Sequence, residues 1–138
     1  MTSNTFRDIQ IDSDFHQAKE VEDQIIAAAE ECGYDDDTIF ALRLSVEEAL
    51  SNAIRHGNLY DINKKVDIRY SVSPERIDLY VRDEGQGFDP GVVPDPTAPE
   101  NLESPSGRGI MLMHAYMNQV EFNERGNQIH LVKLNQAG

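Results

Sequence analysis

Val66-Asp-Ile-Arg-Tyr-Ser-Val72, the break Ser73-Pro-Glu-Arg76, and Ile77-Asp-Leu-Tyr-Val81-Arg-Asp83 form the stretch from which the rest of the chain can be ordered. Val66, Ile68, Tyr70 and Val72 alternate with polar residues, and so do Ile77, Leu79 and Val81. A period of two predicts strands with one apolar face, and a short polar break between two such runs predicts a β-hairpin. Asp83 follows Ile77, Leu79 and Val81 in the same odd register, so on an extended strand it projects to their apolar face. A carboxylate placed there must accept hydrogen bonds or take up a proton.

Upstream, two helical patterns are available to cover that face. Phe6-Arg-Asp-Ile-Gln-Ile11 alternates and predicts a first strand. Asp12, Ser13 and Asp14 are N-cap candidates for a helix that runs to about Cys32 and ends near Gly33. Phe15, Ala18, Val21, Ile25, Ile26 and Ala29 recur at helical spacing and are expected in the core, leaving Glu20, Glu22, Asp23, Glu30 and Glu31 on an acidic outer face. Asp35-Asp-Asp-Thr38 opens a second helix, with acidic groups at its positive dipole end. Its stripe is Ile39, Leu42, Val46, Ala49, Leu50, Ala53 and Ile54, and His56-Gly57-Asn58 is its stop signal. Asp61 to Lys65 reads as a polar loop.

Downstream, Asp83 to Gly107 holds five of the six prolines, no apolar period and no basic residue. A run of this length inside a domain suggests a lid, expected at about 88–107. Gly109 to Met117 reads as a short helix, and Val120-Glu-Phe122 with Ile129 to Leu134 as a final hairpin turning at Arg125-Gly126-Asn127. The order is strand, two helices, two strands, lid, helix, two strands. The expected architecture is a two-layer α/β (α+β) sandwich, a mostly antiparallel sheet with helices on one face. The whole of 1–138 is expected to form a single domain.

Charge narrows the function. There are 12 basic and 25 acidic residues, a formal net charge of −13. Such a surface disfavours direct nucleic-acid binding and anionic membranes, both of which need Lys and Arg against phosphate. It also repels a free triphosphate, so a nucleotide would need Mg²⁺ and oriented backbone amides. No run is apolar and long enough to span a bilayer, and Cys32 has no partner for an internal disulfide. A cytoplasmic protein is expected.

Three segments carry chemistry. Glu48 and Asn52 are four apart on the second helix and share a face. A carboxylate at the rim of a buried stripe gains proton affinity and suits a general base, and an amide oxygen is a hard ligand suited to Mg²⁺. Glu47 competes for the role of base, but only Glu48 lies one turn from Asn52. Asp83 is placed to accept from the exocyclic amine of adenine, with Gly85 and Gly87 removing side chains where a purine approaches. Gly107-Arg108-Gly109 opens a helix and offers free amides to an anion. Neither a Walker loop nor a Rossmann fingerprint is present.

Taken in order, Glu48-Ala-Leu-Ser-Asn52-Ala-Ile-Arg-His56-Gly57, Asp83-Glu-Gly85-Gln-Gly87-Phe88 and Gly107-Arg-Gly109-Ile-Met-Leu-Met resemble the N, G1 and G2 boxes of the GHKL ATPases, which include gyrase, MutL and the histidine kinases. The length and the His-Gly after the first box are most similar to bacterial anti-sigma factor serine kinases of the RsbW and SpoIIAB type. The resemblance implies a Bergerat fold holding ATP and Mg²⁺ between helices and sheet. It implies Glu48 as catalytic base, Asn52 as Mg²⁺ ligand, Asp83 as the adenine-binding aspartate, and Gly85, Gly87, Gly107 and Gly109 as nucleotide-facing glycines. Arg108 is then the nearest local cation for the phosphates. It further implies phosphorylation of a small STAS-domain anti-sigma factor antagonist on serine or threonine, with a sigma factor as a second partner and homodimers common. The basic-free lid keeps an alternative open, a non-catalytic module that sequesters a partner with ATP as a structural ligand or absent.

Overall fold

The computed structural model describes residues 6–85 and 112–135. Five strands, β1 (Arg7–Asp12), β2 (Lys65–Val72), β3 (Arg76–Arg82), β4 (Gln119–Phe122) and β5 (Gln128–Leu134), form one antiparallel sheet in the order β1-β2-β3-β5-β4. The hairpin registers as its pattern requires, with Ile68 opposite Val81 and Tyr70 opposite Leu79. Leu131 and Ile129 of β5 extend the same rows opposite Leu79 and Val81. One sheet face is therefore largely apolar, with Tyr70 set among aliphatic side chains.

Helices α1 (Phe15–Glu31) and α2 (Asp36–Asn52) cover it. Asp14 caps α1 by accepting from the His16 amide at 3.0 Å, and Asp35 caps α2 by accepting from the Thr38 amide at 2.8 Å. Each cap satisfies an amide that would otherwise have no partner, which contributes about 1 kcal/mol. Gly33 ends α1 at φ 87°, a conformation that favours glycine. Ile25, Leu42, Leu50, Ile54, Ile68, Ile77, Leu79 and Leu131 are fully enclosed between the layers, joined by Met113 from the helical stretch 112–116.

Two expectations about α1 are corrected. Phe15 is 47% exposed and stacks obliquely beside Tyr60, ring centroids 6.2 Å apart. The apolar stripe outruns the layer beneath it, so the first helical position meets a loop instead of the sheet. Glu22, read as part of the acidic outer face, is 2% exposed. Arg43 from α2 reaches it at 2.6 Å and Lys19 at 3.1 Å, so the charge is buried as an interhelical ion pair.

The far face of the sheet is polar and aromatic. Tyr80 stacks on His130 at 4.0 Å, and Asp78 accepts from Arg76 Nε and Nη2 and lies 2.9 Å from His130 Nε2. β1 is an edge strand, with Arg7, Asp8 and Gln10 exposed and Ile11 in the core. The lid, with Gly87, Gly107, Arg108 and Gly109, lies outside the described residues.

Candidate functional site

The C-terminal half of α2 carries three buried oxygens that lack partners among the described residues: Ser45 Oγ, Glu48 Oε2 and Asn52 Oδ1. They stand at i, i+3 and i+7, so one helical stripe presents all three. A buried oxygen without a donor costs about 1–3 kcal/mol. Two carbonyl-type acceptors one turn apart therefore form a place that a cation or a hydroxyl donor would stabilise. Burial pushes the Glu48 carboxyl above its usual range; Arg55 opposes the rise and the neighbouring charge of Glu47 adds to it. Glu47 itself is exposed, which separates the two glutamates that the spacing alone left in competition. Ser45 was missed in the sequence, where it looks like an ordinary helix serine; only its enclosure distinguishes it.

After Asn52 the helix widens. Ala53–Gly57 form a π-helical turn, with the Asn58 amide bonded to Ala53 O at 2.8 Å and the Tyr60 amide to Ile54 O at 2.9 Å. Such turns are rare and cluster at functional sites. This one brings the helix end against the end of β3. A Cβ on Gly57 would lie 2.2 Å from Asp83 Cγ, and a Cβ on Gly85 would lie 2.1 Å from Gly57 O. The two glycines are what allow helix end, carboxylate and strand-end turn to touch.

Asp83 is half-buried, and the desolvation raises its pKa, although the Gly85 N–H at 2.8 Å from Oδ1 and the more distant charges of Arg125 and Lys64 act the other way. Its backbone is gripped by Asn127, whose carbonyl accepts from the Asp83 amide at 3.0 Å and whose side chain donates to Asp83 O at 3.3 Å. Asn123 Oδ1 caps the β4–β5 turn by accepting from Gly126, Asn127 and Gln128. In the sequence this segment shows only a turn; its link to Asp83 is long-range and leaves no local signal. A cavity of about 400 Å³ opens here, lined by Asp83, Gly85, Arg125 and Asn127 among others. A larger groove of about 670 Å³ lies on the polar sheet face by Phe6, Arg69 and Tyr80, away from Glu48 and Asn52.

Among the described residues no cluster of three His, Cys, Asp or Glu is placed to hold a metal. Mg²⁺ does not need one. It takes one or two protein oxygens and completes its shell with water and phosphate. The orphaned Asn52 Oδ1 and Glu48 Oε2 fit that chemistry. Glu48 and Asn52 lie on α2, and the π-helical turn that follows them meets Asp83 and Gly85 through Gly57.

The Gly85 contact gives a first prediction. Gly85→Ala places a methyl against a backbone carbonyl that has no rotamer to move, so the Asp83–Gly85 turn must shift. Overpacking of this kind costs about 1–3 kcal/mol. The variant is expected to melt several degrees lower and to lose most nucleotide-induced stabilisation, both read by differential scanning calorimetry. An unchanged profile would show that the close approach is not maintained in solution.

The fold and the sequence match known proteins. A family model described as a histidine kinase-like ATPase domain matches residues 11–133. The chain is 32% identical over 112 residues to the serine-protein kinase RsbW of Bacillus subtilis strain 168, covering 76% of this chain and 70% of that protein. Identity to a serine-protein kinase RsbW of Bacillus licheniformis is 33% over 101 residues, covering 67% of this chain and 61% of the relative. An anti-sigma F factor of Oceanobacillus iheyensis is 30% identical over 103 residues, 70% of each chain. A crystal structure of the RsbU and RsbW domains of Rv1364c from Mycobacterium tuberculosis superposes with a TM-score of 0.63, covering 96% of this chain and 33% of that one at 15% identity, and so supports the fold alone. The chain spans roughly two thirds of the curated relatives it matches. With the family model spanning nearly its whole length, this chain belongs to the histidine kinase-like ATPase domain family.

Proposed function

We propose that the chain is an ATP-dependent serine/threonine protein kinase that phosphorylates a small STAS-domain anti-sigma factor antagonist. One observation carries the reading. Glu48 Oε2 and Asn52 Oδ1 are buried without partners among the described residues, on the helix whose final π-helical turn carries Gly57 against Asp83.

Asp83 accepts from the exocyclic amine of adenine through the oxygen that Gly85 N–H does not occupy. Gly57 and Gly85 let the helix end and the strand-end turn close on the Asp83 carboxylate and so fix its position. Asn52 would hold Mg²⁺ through Oδ1, and the ion supplies charge neutralisation at the phosphates when bound. Glu48 orients the incoming serine or threonine hydroxyl and takes its proton as the new P–O bond forms and the bond to the leaving β-phosphate oxygen breaks. Positioning and charge neutralisation carry most of such a transfer. From the sequence, Gly87 is assigned to the purine side with Gly85, and Gly107, Arg108 and Gly109 to the phosphate side. Sequestration of a sigma factor, a cytoplasmic location and a homodimer belong to the same reading; β1 is the exposed edge available for strand pairing.

The absence of any Lys, Arg or His between Asp83 and Gly107 favours a second reading, a partner-sequestering module that holds ATP without transferring phosphate. Incubation with a candidate STAS partner and radiolabelled Mg-ATP separates the two. Label on the partner's serine or threonine is expected. A partner that co-purifies with the chain yet stays unlabelled would establish the second reading in its place.

A further inference from the structure

The side chain that joins the end of α2 to the Asp83 turn is Asn58, which no catalytic reading employs. It is 0% exposed. Its Oδ1 accepts from the Glu84 amide at 2.8 Å, and its Nδ2 donates to Ser13 Oγ at 3.0 Å and to Lys65 O at 2.9 Å. Three elements meet on this one amide: the entry to α1, the start of β2 and the exit from β3. Ser13 Oγ in turn donates to Lys64 O at 2.8 Å, so the hub is anchored on both of its donor arms.

The acceptor arm has a different character. Among the described residues, the Asn58–Glu84 bond is the one hydrogen bond between the π-helical turn with its exit and the segment Asp83–Gly85. The other restraints on that segment pull elsewhere. Asn127 holds the Asp83 backbone from the β4–β5 side, and the Lys65 amide holds the Glu84 carboxylate from β2. The approach of Gly57 to the Asp83 carboxylate is a contact with no attractive partner of its own, and burial of that carboxylate works against it. The backbone after Asn58 is also costly. Leu59 and Tyr60 both adopt positive φ, 52° and 62°, although neither is glycine. Such conformations persist where the surroundings over-determine them and concentrate at functional sites.

We propose that Asn58 is a positioning residue for base recognition. Its carboxamide fixes the distance between the end of α2 and the strand-end turn, and so sets where the Asp83 carboxylate meets the exocyclic amine of a purine. The inference rests on the reading of Asp83 as the base-reading residue and deepens it. Glu84 N–H is the handle, one peptide from Asp83. Without an acceptor at Asn58 the turn relaxes away from Gly57, and the carboxylate loses its aim while the α2 oxygens, Asn52 and Glu48, stay in place. Discrimination between purines is therefore lost before nucleotide binding as such.

The test compares ATP with ITP, which lacks the exocyclic amine, by isothermal titration calorimetry on the full chain with Mg²⁺. Wild type is expected to prefer ATP by about tenfold or more, the contribution of one charge-assisted hydrogen bond. Asn58→Ala is expected to bind the two alike, with ITP affinity within about twofold of wild type because no contact to the phosphates is touched. Ser13→Ala removes a donor arm of the same hub but not the Glu84 bond, so it lowers the melting temperature and keeps the ATP preference. Asn58→Asp retains an acceptor for Glu84 N–H but sets its second oxygen against Lys65 O and Ser13 Oγ, so it is expected to melt lower and, where folded, to keep the preference as well. If Asn58→Ala does not fold, Asn58→Asp decides: loss of preference in a folded Asn58→Asp overturns the proposal. A folded Asn58→Ala that still prefers ATP also overturns it. Wild type that binds both nucleotides without preference overturns the reading of Asp83 and this inference together, whereas intact wild-type preference with an indifferent Asn58→Ala overturns the inference alone.

Discussion

Glu48→Gln is expected to lower phosphotransfer by about 10²–10⁴-fold, the usual contribution of a general base, while the protein binds Mg-ATP and melts no lower than wild type. The second half of that expectation follows from burial. Glu48 Oε2 is enclosed without a donor, and desolvation raises the carboxyl's pKa above its ordinary 4.5. A carboxyl whose pKa is raised in the folded state contributes stability below its unfolded value and loses that contribution as pH rises through the folded one. At neutral pH the ionised group is therefore a cost to the apo fold, and a neutral amide of the same shape removes it. Rate and stability thus move in opposite directions or the rate moves alone. The wild-type rate should also fall on the acid side as Glu48 takes a proton, at a pH above 4.5, and the variant should lack that limb. Radiolabelled transfer across pH, beside a melting curve, checks all three. Unchanged transfer would remove Glu48 from the mechanism. A fall in melting temperature that parallels the fall in rate would make its role structural.

The opposite signs in that experiment mark what was and was not readable in the chain. Strand alternation from Val66 to Val81 announced the hairpin, and Asp14, Asp35 and Gly33 announced helix ends, because period and capping are local properties of a few residues. Odd register carried Asp83 to the correct face for the same reason. The π-helical turn was invisible: its hydrogen bonds skip five residues, and five residues hold no period. His56-Gly57-Asn58 read correctly as a stop, yet nothing local shows that Gly57 faces a carboxylate brought from 26 positions away or that Asn58 is buried. Phe15 and Glu22 went wrong in complementary ways. A stripe records which side of a helix is apolar and not where the layer beneath it ends, and a charge that finds an interhelical partner need not face water. Asn127 and Ser45 belong to the same class, significant only through partners or enclosure that the fold supplies.

Asp83→Asn should cost nucleotide affinity without costing the fold. Gly85 N–H donates to Asp83 Oδ1 at 2.8 Å, and that demand survives the substitution. Asparagine can meet it only with its single oxygen, which turns its NH₂ toward the base. Adenine's exocyclic amine then faces a donor where it had an anionic acceptor. Loss of a charge-assisted bond is worth about 1.5–3 kcal/mol, roughly 10–150-fold in affinity for ATP. ITP carries an acceptor at the same position, so its affinity should rise relative to ATP and the order of preference should narrow or invert. Burial raises the Asp83 pKa above 3.8, so the ionised carboxylate that the amine requires is lost as pH falls toward and below that raised value. Wild-type ATP affinity is expected to weaken over this acid range, and the variant's to be flat. The apo fold follows the reverse sign: the raised pKa makes the charged group a cost at neutral pH, so the variant should melt at the same temperature or slightly higher. Nucleotide-dependent melting shifts with ATP and ITP at two pH values measure each part. Equal ATP-induced shifts in variant and wild type would remove Asp83 from base recognition, because stabilisation by a ligand rises with the logarithm of its affinity for the folded state.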